Sequence, residues 1–190
     1  MDDAVIKNLG PLAGLAGVWE GEKGDDIAPD DNRGIENNKF RERIRFEPFG
    51  PVDNHEQHLW GLRYAKVAYR LGEASSFHEE TGYWLWDPKE GQAMCCFIVP
   101  RGVAVIAGGT VAHDAKTFTL SADLGSPTYG VCSNKFLDRE FQTVRFEVTI
   151  TINTDGTMSY DETTHLKMPK RADLFAHRDR NTLRRVGDAA

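Results

Sequence analysis

Polar and apolar residues alternate with period two along most of this chain, and that pattern predicts a β protein. Phe40, Ile44 and Phe46 share one face of the first clear run, and Arg41, Arg43, Arg45 and Glu47 share the other. Strand-like runs follow over residues 56–70, 77–87, 92–99, 103–111, 117–122, 142–153 and 157–168, then again up to Val186; 129–136 is a weaker one. Turn signals separate them: Asp87-Pro88-Lys89-Glu90-Gly91, Pro100-Arg101-Gly102, Asn153-Thr154-Asp155-Gly156 and Pro169-Lys170-Arg171. Pro48-Phe49-Gly50-Pro51 reads as a further turn, and Gly61 as a bend within a long strand. Only residues 4–15, interrupted by Gly10-Pro11, read as helical.

About ten strands with short turns and no helix between them predict an antiparallel meander. An open sheet of that many strands curls or closes, and closure removes its unpaired edges. The expectation is therefore all-β: an up-and-down barrel of about ten strands with a short N-terminal helix, wide enough for one small ligand. Residues 1–190 read as a single domain. Residues 25–38, rich in Asp and Asn, read as an extended acidic loop of a length often found in lids.

Charge and cysteines narrow the partners. A net charge of −6 speaks against nucleic acid, which needs a concentrated basic surface. No apolar run approaches the roughly 20 residues of a membrane span. Met1-Asp2-Asp3-Ala4 lacks the basic and apolar regions of a secretory leader. Cys95, Cys96 and Cys132 include no CxxC spacing, and adjacent strand residues face opposite ways, so three reduced thiols in a cytoplasmic protein are expected.

The candidate chemistry lies on histidines. No HxH or HExxH spacing occurs, and His55, His58 and His113 read as surface residues. Alternation puts His177, Asp179, Asn181 and Leu183 on one face of the last strand, with Arg178, Arg180 and Arg184 on the other. If the arginine face is solvated, His177 points into the barrel at its rim, where a neutral imidazole can ligate iron and Asp179 can hold its second nitrogen. An ordinary rim hydrogen bond explains the same spacing. His78 and Glu80 share a face, either as a satisfied polar pair or as an acid/base pair. Trp60, Tyr83, Trp84 and Trp86 suit a cavity wall or a packed core equally.

Three motifs together resemble the nitrobindin family: Gly17-Val18-Trp19-Glu20-Gly21 after a short helix, His78-Glu79-Glu80-Thr81-Gly82-Tyr83 in mid-chain, and a last strand led by His177 and ending in Leu183-Arg184-Arg185. The resemblance runs from about Leu12 to Val186. Lys23 stands where the family has its third motif glycine, and Gly24 follows. The stretch from His177 to Leu183 is one residue longer than the family pattern.

The resemblance implies a lipocalin-like barrel, related in shape to fatty-acid-binding proteins, that holds ferric haem b near its mouth. It makes His177 the iron ligand and places His78, Gly17, Trp19 and Gly21 among the cofactor-binding residues, which Asp179 joins by its spacing from His177. It further implies binding of nitric oxide and isomerisation of peroxynitrite to nitrate, and it admits a homodimer. A different reading is a non-enzymatic carrier of a fatty acid or flat aromatic ligand in a barrel that has lost haem. A third is an enzyme that uses His78 and Glu80 as acid and base.

Overall fold

The computed structural model describes residues 3–189. Part of the N-terminal stretch read for a leader, and the last residue of the tail, lie outside the described residues. Eleven strands close into one barrel: β1 (Gly17–Pro29), β2 (Ile35–Asn54), β3 (Gln57–Arg70), β4 (His78–Asp87), β5 (Gln92–Val99), β6 (Val103–Thr110), β7 (Thr117–Leu124), β8 (Gly130–Ser133), β9 (Gln142–Ile152), β10 (Met158–Lys167) and β11 (Phe175–Gly187). Around the wall they run β1-β11-β10-β9-β7-β8-β6-β5-β4-β3-β2, and β2 pairs back with β1. The pairs are antiparallel except β7 with β8, where the short β8 inserts in parallel at Asp123↔Gly130 and Leu124↔Val131. No described helix is long and apolar enough to cross a membrane.

The expected closed barrel is present, and three local expectations are corrected. Residues 25–38 are not a loop: β1 and β2 continue through them as a ladder from Asp25↔Lys39 to Pro29↔Ile35. Their turn is tied by Asp30, whose Oδ1 accepts from Asn32 N at 2.7 Å and Gly34 N at 2.8 Å. Residues 48–51 do not end a strand. They form an irregularity inside β2, between Phe49 and Val52, and the true turn is at residues 55–56. A helix does interrupt the meander: α2 (Lys135–Glu140), capped by Asn134, whose Oδ1 accepts from Phe136 N and Leu137 N at 3.0 Å each. It follows α1 (Asp3–Ile6) and a 3-10 turn at Gly10–Leu15.

The lumen has two halves. At one end, Leu9, Leu12 and Leu15 of the N-terminal segment are fully buried and plug the barrel against Trp19, Trp84, Trp86, Ile150, Met158 and Leu183. Burying such side chains is the main driving force of the fold, at about 1.5–3 kcal/mol each. Trp19 fixes the plug to the wall by donating from Nε1 to the Leu15 carbonyl at 2.7 Å. Gly10, at φ +54°, brings the backbone over the Trp86 ring, where a Cβ would lie 2.5 Å from Nε1.

The other half is polar and reaches solvent. His78 and His177 point inward, yet each side chain keeps 32 % of its surface. The rim at this end is built by the β1–β2 turn, α2 and the β10–β11 connection. Arg33 donates to Glu140 Oε2 at 2.6 Å and lies over the Phe141 ring, and Arg171 donates to the Arg33 carbonyl at 3.3 Å.

Candidate functional site

A layer of buried polar side chains separates the two halves. Lys66, on the inward face of β3 between Tyr64 and Ala68, is buried. Its Nζ lies 3.8 Å from Glu42 Oε2 and 3.7 Å from Glu80 Oε1, and 4.7 Å from the centre of the Tyr160 ring across the lumen. Tyr64 donates to Glu80 Oε2 at 2.7 Å. Tyr160 donates to Glu42 Oε1 at 3.0 Å, and Asn181 Nδ2 donates to the same oxygen at 2.8 Å. Buried charges are tolerated when paired and hydrogen-bonded in this way.

The motif glycines serve this layer. Gly21 faces Asn181, and a Cβ on Gly21 would meet Asn181 Nδ2 at 2.5 Å. Gly24 leaves room for the Phe40 ring. Gly17 and Trp19 belong to the plugged end, where Trp19 pairs with Ile44 and Gly17 with Phe46. The structure therefore gathers His177, Asp179 and His78 around the open half, and sets Gly17 and Trp19 apart from them.

Above the layer, three adjacent strands present acids in register. Glu162 of β10 is paired with Asp179 of β11, and Asp179 with Asp26 of β1. His177 stands two residues along β11, opposite Thr164. Its Nε2 is 2.9 Å from Asp26 Oδ1 and 3.9 Å from Asp179 Oδ1. The carboxylate that holds the imidazole is thus Asp26, not the Asp179 expected from strand spacing. Asp26 is itself oriented by Asn38, whose Nδ2 donates to Oδ2 at 3.1 Å. Nδ1 of His177 has no hydrogen-bond partner among the described residues. His78 meets Glu80 through Nε2 at 2.7 Å, so this expected pair is formed and is tied into the buried layer.

Electrostatics divides these groups. Burial pushes the Glu80 carboxyl up, but Lys66, His78 and Tyr64 together bring it down to about 2. Burial pushes Asp26 up as well, and His177, Asn38 and Asp179 together outweigh it and leave Asp26 low. His177 is the converse: burial lowers it, and Asp26 and Asp179 hold it above the usual imidazole value. Glu162 and Asp179 are raised, chiefly by burial, with Lys66 relieving Glu162 and His177 relieving Asp179 only in part.

The sequence reading passed over Asp26, Glu42, Lys66, Tyr160 and Glu162. Glu42 and Lys66 carried a visible signal, since each falls at inward parity between apolar neighbours. Asp26 lies in the segment expected to be a loop.

Several outer grooves also exist. One of about 490 Å³ is lined by Arg43, Arg45, Ala65, Val67 and Ile98, and it lies outside the wall, away from His177.

A family model described as "THAP4-like, heme-binding beta-barrel domain" matches residues 8–185. Among solved structures, that of Rv2717c from M. tuberculosis is similar, with a TM-score of 0.63 and 18% sequence identity, over 96% of this chain and 97% of that one. At that identity the likeness speaks for the fold. No curated protein matches the sequence.

Proposed function

The chain belongs to the THAP4-like haem-binding β-barrel family, the nitrobindin family its motifs resemble, and from that premise we propose that its open half holds haem b with His177 as the protein ligand to iron. One observation carries the reading. His177 faces a lumen that reaches solvent, with Nε2 held by Asp26 at 2.9 Å and Nδ1 unengaged. Metal-binding imidazoles commonly donate one ring N–H to a carboxylate, which fixes the tautomer and makes the other nitrogen a better donor. The donor set present therefore fits a haem iron.

Haem held by His177 would supply iron chemistry towards nitric oxide or peroxynitrite. The chain supplies the rest. Asp26 keeps the proton on Nε2 and fixes the ring. The Lys66–Glu42–Glu80 layer forms a floor that stops a ligand from entering the apolar half. His78, drawn to Glu80, is the inward-facing imidazole on the β4 wall, placed to donate a hydrogen bond to a small oxyanion. We extend the proposal on these grounds to nitric oxide binding and peroxynitrite isomerisation in the cytoplasm, by a single barrel domain spanning residues 1–190.

The carrier reading has less in its favour. Five carboxylates, Asp26, Glu42, Glu80, Glu162 and Asp179, lie on inward faces at or above the floor, against Lys66, His78 and His177. A fatty-acid headgroup would find Lys66, His78 and His177 already paired with carboxylates. Titration of the haem-free protein with haemin tests the proposal. A Soret band with saturable uptake is expected, and its loss in His177→Ala with the fold intact. An identical spectrum in His177→Ala removes His177 from the role.

A further inference from the structure

We infer that Arg70 anchors a carboxylate of the ligand in the open half, which, resting on the haem reading above, is a propionate. Four buried side-chain nitrogens have no hydrogen-bond partner among the described residues: Nε1 of Trp84 and Trp86, and Nε of Arg70 and Arg171. The two indoles belong to the plugged half. The two guanidinium nitrogens lie at the open end, on the last residue of β3 and in the β10–β11 connection. A buried donor without an acceptor is rare and costly in a folded chain. Arg171 uses both of its Nη groups within the rim, on the Arg33 carbonyl at 3.3 Å and on Asp173 Oδ2 at 3.1 Å. Arg70 differs, because its guanidinium makes no hydrogen bond among the described residues.

Alternation places this arginine over the cup. Leu62, Tyr64, Lys66, Ala68 and Arg70 share one parity of β3, and the first four are buried. Arg70 stands two inward steps beyond Lys66, about 14 Å along the strand. Its guanidinium lies over the Phe77 ring, 5.0 Å from the centre. Phe77 in turn packs edge-on against Phe40 at 6.0 Å, and Phe40 fills the space that Gly24 leaves. The stack fixes the guanidinium plane and leaves its Nε–Nη2 edge to an acceptor in that plane. Glu36 Oε1 approaches this edge but stays 3.7 Å from Nη2, beyond hydrogen-bonding distance, and both side chains keep about 40% of their surface. A carboxylate is thus drawn to the edge without closing on it. One carried by a ligand takes Nε and Nη2 together, the paired geometry that arginine favours for carboxylates, and Glu36 turns to solvent.

The ligand class follows from the cup. Its acid must sit at the rim and hang from a body that fills the space above the floor. A porphyrin propionate has that form. A fatty acid also carries a carboxylate, but the Lys66–Glu42–Glu80 floor bars a long tail from the apolar half. The porphyrin acid is therefore the expected ligand.

The test is titration of the haem-free full chain with metal-free deuteroporphyrin and with its dimethyl ester, read by porphyrin fluorescence. Without iron, ligation by His177 takes no part. The diacid should bind about tenfold more tightly than the ester, the scale of one charge-assisted hydrogen bond. Arg70→Met keeps an apolar stem on Phe77. It should bring the diacid down to the affinity of the ester, with the ester's affinity and the circular dichroism unchanged. Equal binding of diacid and ester by the wild-type protein overturns the inference. So does an Arg70→Met variant that weakens both alike, which makes the arginine a packing residue. Oleate is titrated in parallel. Oleate bound in place of either porphyrin, and weakened by Arg70→Met, supports the anchor and overturns haem as its ligand; a protein that binds none of the three overturns the anchor. Haemin uptake lost in His177→Ala, with diacid and ester bound equally, sinks this inference and leaves the haem reading standing. A diacid preference with an identical haemin spectrum in His177→Ala does the reverse.

Discussion

Gly21 and Asn181 face each other across the β1–β11 seam with no room for a single added carbon, since a Cβ on Gly21 would lie 2.5 Å from Asn181 Nδ2. That closeness lets Asn181 reach Glu42 Oε1 at 2.8 Å and complete the floor of the open half. The second glycine of the N-terminal motif is thus coupled to a residue 160 positions away, through packing and not through a ligand.

Gly21→Ala should cost about 1–3 kcal/mol, the usual range for forcing a group into a filled site. The same substitution in an Asn181→Ala background should cost far less, because the clash is gone. A double-mutant cycle by urea unfolding reads the coupling directly. Additive effects would show that Gly21 is needed for some other reason, such as the irregularity in β1 between Gly21 and Gly24.

Lys66 holds two carboxylates apart. Lys66→Met should destabilise the barrel by roughly 3–5 kcal/mol, because it leaves Glu42 buried without a cation and Glu80 with His78 alone. Adding Glu42→Gln and Glu80→Gln to the same chain removes the stranded charges and keeps acceptors for Tyr160, Asn181 and Tyr64. Most of the loss should return in that triple variant. A triple variant no more stable than Lys66→Met would mean that the lysine acts by packing alone.

Two glutamates predict opposite pH limbs. Glu80 is depressed to about 2 by Lys66, His78 and Tyr64 despite its burial. Its contribution is complete above the ordinary glutamate value of about 4.3 and is lost as pH falls from there towards 2. Burial raises Glu162 well above its ordinary value; Lys66 relieves this only in part, and Glu80, Asp179 and Glu42 add to it. The folded state then holds a proton that the unfolded chain has released, so stability declines as pH rises through the raised value. Glu162→Gln should flatten that decline and raise the midpoint of thermal unfolding above neutral pH, with little effect at pH 5. Thermal scans of both proteins from pH 3 to 9 check it; parallel curves would contradict the assignment.

Much of the barrel was legible in the sequence because a half-buried strand must alternate. The face shared by His177, Asp179, Asn181 and Leu183 is the inward one, and so is that of His78 and Glu80. Residues 25–38 escaped because their strands protrude at the rim, where backbone pairing needs no apolar face and Asp and Asn are tolerated. Helix α2 escaped because six residues show too little of a 3.6-residue period. The floor was harder still. Glu42, Lys66 and Tyr160 lie on three strands far apart in the chain, and only closure of the barrel brings them within hydrogen-bonding and cation–π distance. Parity could have flagged Glu42 and Lys66 one at a time as charges on an apolar face. Asp26 as the partner of His177 needed the pairing of β1 with β11.

The polar floor also sets how material exchanges with the interior. A barrel sealed by leucines at one end and floored by paired charges midway is a cup, open towards the β1–β2 turn, α2 and the β10–β11 connection. Whatever occupies it enters and leaves by the same route. Under the proposed haem reading, the rim contacts of Arg33 with Glu140 and Arg171 would set the rate of release, while His177 and the acids below would set the affinity. Residence time and binding strength can therefore be altered independently, by substitutions at opposite ends of the same chamber.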